Sequence, residues 1–326
     1  MMTNDVYGRT FKKLRVSLTH ECNYGCLYCA DGLSKKNSGN QSFVSVNYIQ
    51  NQTIIPVAEL LQLIANLHNE LALETIRLTG GEPMLHPELL SIVTGIKKLN
   101  VRKIAMTTNG HMLYSKVEKL RDAGLSSVNI SLDALDEETF EKMSRNPGLD
   151  NVLRSIDAAI ACGLEVKLNT VILKGVNNHQ ILPLLDFAMS KNILIRFLEL
   201  MPMGPLHHSY KELFFSEEQM QNTISERYEI LAMPKENHAT AHYWKIQGQQ
   251  AFGIIANDST PFCKDCDRLR LDSYGNIYGC LSSLKAIELK AHTKSYMLAE
   301  ALAEALTHKQ VHSFTGNART MQSIGG

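Results

Sequence analysis

Six extended segments between residues 13 and 200 (KLRVSLT, ETIRLTG, KIAMTTNG, SVNISLD, EVKLNTVI and IRFLEL) share a property that few parallel-sheet folds tolerate, a polar face on nearly every strand. Residues i and i+2 of a strand share a face. Leu14, Val16, Leu18, Ile76, Leu78, Ile104, Met106, Val128, Ile130, Leu132, Val166 and Leu168 therefore form one apolar surface, suited to packing on helices. The other face carries Arg15, Ser17, Thr19, Arg77, Thr79, Lys103, Thr107, Asn109, Asn129, Ser131, Asp133, Lys167, Asn169 and Arg196. Helical stretches such as PVAELLQLIANLHNEL, PELLSIVTGIKKL and QILPLLDFAMSK fall between the strands, so the segment reads as a run of βα units with a parallel sheet. A doubly wound sheet is covered on both faces and reads as continuous apolar runs, and a closed eight-stranded barrel fills its interior with branched aliphatics. Neither pattern fits. The expected fold is α/β, an incomplete (βα)6 TIM-like barrel whose wide lumen holds a hydrated or ionic ligand that satisfies the polar side chains.

After about residue 200 the period changes. YWKIQG and AFGIIA pair as one hairpin, RLRLD and NIYGCLS as another across the turn SYGN, and SYMLAEALAEALTHK forms a terminal helix. Two regions are expected: 1–200, the partial barrel, and 201–326, which packs against the barrel opening. Lys plus Arg equals Asp plus Glu at 33 each, so no global field favours nucleic acid or an acidic membrane. No apolar run reaches the roughly 18 residues that span a bilayer, and the expected location is cytoplasmic.

Seven cysteines in a chain without a secretion signal argue against a disulfide framework. Six fall in two groups. Cys22, Cys26 and Cys29 have spacing C-x3-C-x2-C at the end of the first strand; Cys263, Cys266 and Cys280 have spacing C-x2-C-x13-C. Cys162 stands alone on an apolar helix face, where a thiol behaves as a small buried hydrophobe. Structural zinc wants four protein ligands, and neither group supplies four. Three thiolates can instead hold three irons of a cubane cluster and leave the fourth open for something that is not polypeptide.

CNYGCLYC, with Tyr28 before the third cysteine, resembles the cluster motif of the radical S-adenosylmethionine (SAM) enzymes, and TGGEP at 79–83 is similar to that superfamily's GGEP element. FCKDCDRLRLDSYGNIYGC narrows the likeness to the molybdenum cofactor biosynthesis protein A family, the GTP 3′,8-cyclases. So do RVSLTHECN, IRLTGGEP, TTNG, NISLDAL, IRFLELMPMG and the terminal IGG, and the resemblance runs over almost the whole chain. It implies two [4Fe-4S] clusters, one held by Cys22, Cys26 and Cys29 and the other by Cys263, Cys266 and Cys280. It implies SAM on the first, cleaved by one electron to a 5′-deoxyadenosyl radical, and guanine of GTP on the second. Hydrogen removal from C3′ and attack on C8 then give the 3′,8-cyclo product. It places Tyr28, Gly80, Gly81, Glu82, Ser131 and Met201 on the SAM side, and Arg15, Arg77, Thr107, Lys167, Arg196, Arg268 and Arg270 on the GTP side. Arg268 and Arg270 are also implied as catalytic, beside the first three cysteines. A reduced flavodoxin- or ferredoxin-type donor, a downstream cyclic pyranopterin monophosphate synthase and a homodimer are the partners it suggests.

Independently of the likeness, Arg15, Arg77, Lys167 and Arg196 face the lumen and Arg268 and Arg270 alternate beside Cys266. Six converging cations in a neutral protein call for an anion, and guanidinium matches phosphate geometry. The plainer reading pairs them with Asp133 or Glu199. No GxxxxGK[ST] loop is present, which favours a nucleotide rearranged at its nucleoside over phosphoryl transfer. Two departures from the family pattern are Thr75, where many relatives place lysine, and Ala30-Asp31, where an apolar residue and proline are usual. The end, 323–326, reads on physics as a frayed tail and by likeness as a segment entering the active site. Two rival functions remain at this level: a radical SAM enzyme acting on a peptide or another small molecule with an auxiliary cluster, and a zinc-stabilised binding module.

Overall fold

The structure, a computed structural model, describes residues 4–30, 53–289, 295–316 and 321. All six expected strands form: β1 (Lys13–Ser17), β2 (Thr75–Thr79), β3 (Lys103–Thr108), β4 (Ser127–Ser131), β5 (Glu165–Ile172) and β6 (Leu194–Glu199). They pair in parallel and in chain order. Between them lie α1 (Val57–Leu71), α2 (Leu89–Lys97), α3 (Val117–Ala123), α4 (Glu137–Ser144), α5 (Leu149–Ala161) and α6 (Ile181–Ser190). In α1, Leu60, Leu63, Ile64, Leu67 and Leu71 recur at helical spacing and are all buried. Pro56 precedes the helix, and Ala72, left-handed at φ 49°, ends it. Asp136 starts α4 by accepting a bond from the Thr139 amide at 2.8 Å. Cys162 caps α5, half-buried against the core.

The strand faces divide as the alternation requires. Leu14, Val16, Ile76, Leu78, Met106, Val128, Ile130 and Leu168 are completely buried beneath the helices, while most polar residues of the opposite face, though not Ser17, Thr19 or Lys167, line a cavity.

The remaining elements are α7 (Tyr210–Leu213), α8 (Glu217–Ser225), β7 (Ile230–Ala232), β8 (His242–Ile246), β9 (Gln249–Ile255), β10 (Arg268–Leu271), β11 (Asn276–Tyr278), β12 (Ile287–Glu288) and α9 (Ser295–Thr307). The two hairpins form as expected, β8 with β9 and β10 with β11. Their placement is not evident from the chain alone: β10 pairs in parallel with β1, and β9 in parallel with β6. One twelve-stranded sheet results, in the order β12-β11-β10-β1-β2-β3-β4-β5-β6-β9-β8-β7. Both margins of the six-stranded unit are thus continued by later residues. No described helix is long and apolar enough to cross a membrane.

Candidate active site

The loop after β1 carries the first three cysteines. Bonds from the Gly25 amide to the Ser144 carbonyl (2.9 Å) and from the Leu27 amide to the Met143 carbonyl (3.0 Å) fasten it to the last turn of α4. The Cys29 and Ala30 amides both return to the Cys26 carbonyl, closing a tight turn. Among the described residues none of the three forms a disulfide, and all three line a cavity of about 430 Å³, within the range of ligand clefts. Burial pushes the Cys22 and Cys26 thiols up, and the nearest charges, Glu82 for Cys22 and Asp133 for Cys26, push the same way. Three thiols converge here among carboxyl groups. Such a donor set suits a positively charged inorganic centre, which would turn each thiol into a bound thiolate.

Cys263, Cys266 and Cys280 line the same cavity, although most of the chain separates the two groups in sequence. Their electrostatics differ from those of the first group at Cys266. Burial would raise Cys266, but Arg268 and Lys309 outweigh it and hold the thiol down to about 6. Cys263, more influenced by burial and by its two companion thiols, is pushed up to about 11. Among the described residues no three His, Cys, Asp or Glu side chains close on a single metal ion. A cubane takes one thiolate on each of three irons, so its ligands stand further apart than the shell of one ion.

Strand register sets the cations in two rungs. Arg270, Arg15 and Arg77 are direct neighbours across β10, β1 and β2. The next rung, in the same direction, holds Arg268, Lys13, Thr75 and Lys103. At a strand spacing of about 4.8 Å, adjacent unit charges repel by up to about 3 kcal/mol at an effective dielectric of about 20. Burial, joined by the other arginines, lowers Arg15 strongly, Arg77 to about 9 and Arg270 to about 10. Guanidinium does not give up its proton in proteins. A bound anion would relieve the repulsion.

Orphaned atoms mark the same space. Arg196 Nε and Nη2, Thr107 Oγ1 and Asn169 Oδ1 are buried without a partner among the described residues, and all three residues line the cavity. Native proteins leave few such atoms, so a polar ligand is expected there. Among the described residues no ion pair is seen between these cations and Asp133 or Glu199, whose oxygens have other donors. Asp133 accepts from Tyr28 Oη at 2.8 Å and the Val171 amide at 2.9 Å. Glu199 accepts from the Glu217, Asp258 and Ser259 amides and the Ser259 hydroxyl.

Family comparison agrees with this geometry. The radical SAM superfamily model matches residues 16–188 and the molybdenum cofactor synthesis C model residues 193–314. A GTP 3′,8-cyclase of Staphylococcus carnosus is 37% identical over 283 residues, covering 86% of this chain and 81% of that protein. One from Pseudomonas fluorescens is 34% identical, covering 99% and 98%. The chain belongs to the GTP 3′,8-cyclase family of radical SAM proteins. The fold is also that of Streptococcus suis SuiB crystallised with S-adenosylmethionine, at TM-score 0.64 and 14% identity, covering 92% of this chain and 68% of that one. Membership in the radical SAM superfamily implies a [4Fe-4S] cluster and SAM, and the first thiol triad has the donor chemistry to hold that cluster.

Within this GTP 3′,8-cyclase family member, the residues assigned from sequence converge with one exception. Tyr28, Gly80, Gly81, Glu82, Ser131, Met201, Arg15, Arg77, Thr107, Arg196, Arg268, Arg270 and the six cysteines all line the cavity. Lys167 does not; it sits near the start of β5 and pairs with Glu165 at 2.8 Å. The glycines of TGGEP have a cause besides ligand approach. A Cβ at Gly80 would stand 2.5 Å from the Thr19 carbonyl, and one at Gly81 2.3 Å from that of Glu21. The Gly81 amide in fact bonds the Thr19 carbonyl at 2.6 Å, stitching the two loops together. Glu82 is fully engaged by protein donors: Thr108 Oγ1 at 2.7 Å, the Asn109 amide at 2.7 Å and the Met84 amide at 3.0 Å. Burial lifts its pKa to about 7 despite those bonds. The motif TTNG is explained by this contact, since Asn109 also reaches Asn23 Oδ1 at 2.8 Å beside Cys22.

Sequence reasoning missed Lys309, Gln310, Phe314 and Met321, which line the cavity from the far end of the chain. HKQVH after a helix carries no local signal of a site. Asp31 and the tail 323–326 lie outside the described residues; Ala30 is buried.

Proposed function

We propose that this chain is a GTP 3′,8-cyclase, converting GTP to (8S)-3′,8-cyclo-7,8-dihydroguanosine 5′-triphosphate in molybdenum cofactor biosynthesis. The observation that carries the reading is the in-register rung Arg270, Arg15, Arg77 facing a cavity that both thiol triads line. The activity for which its relatives are named, GTP 3′,8-cyclisation, supplies the substrate. In this reading, residues 1–200 form the radical SAM unit. Residues 201–326 carry a second [4Fe-4S] cluster on Cys263, Cys266 and Cys280 and cover the barrel opening.

The bound first cluster and SAM supply one-electron, hydrogen-abstracting chemistry. The chain's own groups bind and orient. The two cation rungs take the triphosphate, with Arg196 Nε and Nη2 as further donors. Arg268 and Arg270, beside Cys266, bring the nucleotide against the second triad and hold the ribose toward the first. Tyr28 is fixed by Asp133 and, with Gly81, Ser131 and Met201, forms the SAM wall. A reduced flavodoxin- or ferredoxin-type protein provides the electron, and the product passes to a cyclic pyranopterin monophosphate synthase. Anaerobic incubation with GTP, SAM and reductant tests the reading through the nucleotide product. Recovery of unchanged GTP alongside cleaved SAM would reject it.

A further inference from the structure

Lys309 is a buried cation outside every motif of the sequence, 8% exposed and two residues beyond the end of α9. Its ammonium has three N–H donors, and three acceptors surround it: Cys266 Sγ at 3.4 Å, the Arg268 carbonyl at 2.9 Å and the Gly279 carbonyl at 2.9 Å. These acceptors are one thiol of the second triad, the residue that opens β10 and the neighbour of Cys280. The ring of Phe11 lies 5.0 Å below the nitrogen. Gly279 has no room for a side chain, because a Cβ there would stand 2.1 Å from the Ala305 carbonyl in the last turns of α9. Helix and cysteine segment are therefore in direct backbone contact.

A second cation closes the arrangement from the other end of the chain. Arg9 Nη1 donates to the Cys263 carbonyl at 2.8 Å and to the Gln310 carbonyl at 3.4 Å, while Asp5 holds the guanidinium. Lys309 and Arg9 thus tie all three cysteine positions to the terminal helix and the N-terminal segment. A buried ammonium is costly to desolvate, and a position satisfied by two carbonyls and a thiol is stabilised far more when that sulfur is a thiolate.

The geometry points to Lys309 as a positioning residue for the second cluster. It donates a charge-assisted hydrogen bond to the Cys266 ligand and locks the terminal helix to the cluster loop, so the cluster's retention and its reduction potential both depend on this ammonium. Hydrogen bonds to ligand sulfur and local net charge are the protein's levers on cluster potential, and removing an outer-shell partner weakens metal binding by about 10- to 100-fold. The inference rests on the proposed second cluster.

The test compares anaerobically isolated holoprotein with Lys309→Met, which keeps the stem but not the charge, and Lys309→Gln, which keeps a neutral donor. Iron release to a chelator and the midpoint potential of each cluster, followed by electron paramagnetic resonance, are the readouts. Iron of the second cluster should leave about 10- to 100-fold faster in Lys309→Met. Its potential should move negative, with Lys309→Gln between the two and the first cluster unmoved. An unchanged second-cluster potential and release rate in whichever variant folds would overturn the inference. Wild-type protein whose iron and sulfide amount to a single cluster would instead overturn the second-cluster reading on which it stands.

Discussion

The two thiol triads open on the same cavity but have charges of opposite sign beside them. At Cys22 and Cys26 the leading charges are carboxyls, Glu82 and Asp133, and burial and charge both oppose thiolate formation. Around Cys263, Cys266 and Cys280 stand Arg268, Arg270, Lys309 and Arg9, and Cys266 is held down to about 6. The Cys22 and Cys26 thiols would therefore ionise only on binding a positively charged centre. Cys266 lies in a field already suited to negative charge, which extends along the strands as the two cation rungs. In the proposed reading one side of the cavity takes a cofactor that brings its own positive charge, and the other an anion.

Four measurements break or sharpen that contrast. The largest effect is expected for Cys26→Ala, which should reduce anaerobic SAM cleavage to background, because one vertex of the first cluster loses its ligand. Detectable reductive cleavage in that variant would separate the first triad from SAM. For Arg268→Ala the expected outcome is continued, uncoupled SAM cleavage with cyclisation down by about 100-fold, the order of roughly 3 kcal/mol for a buried charge contact. Full cyclisation would remove Arg268 from the substrate side. In metal-free protein, alkylation followed by peptide mapping should modify Cys266 at least about tenfold faster than Cys263 at pH 7. The sign follows from the shifts: Cys266, lowered to about 6, is thiolate above that pH and loses reactivity as pH falls through it, whereas Cys263, raised to about 11, stays a thiol. Equal rates would erase the electrostatic difference between these positions. The smallest effect belongs to Thr75→Lys, which completes the rung between Lys13 and Lys103. Lys13 already spends itself partly on Asp267 at 2.9 Å and Lys103 on Glu165, so the KM for GTP should fall only about threefold. A rise in KM would mean that the rung is saturated with charge.

The barrel strands and their faces were legible because a period of two, with polar residues on one side, has few other interpretations in a parallel sheet. Both cysteine groups were legible for a similar reason, since their spacing is a short-range property. What the chain could not announce was long-range register. That Arg270 stands beside Arg15 follows from β10 joining β1, a pairing that hydrophobic pattern does not encode. Lys167 shows the converse: alternation put it on the correct face, but only the structure shows Glu165 two residues earlier taking its charge. TGGEP was legible as a motif, but the reason for its glycines was not: the nearest atoms that exclude a side chain are backbone carbonyls of Thr19 and Glu21. Lys309 was invisible because its three acceptors come from two segments folded against the end of α9.

The continuation of both sheet margins by later strands has a consequence for biogenesis. On the ribosome, β1 and β6 are made long before β9 and β10 emerge to pair with them. Until then the nascent chain presents two unpaired edges, each able to recruit a stray strand from another molecule. A polypeptide halted near residue 200 would keep that hazard permanently, so the early and late portions of this enzyme are obligate companions in the cell's quality control.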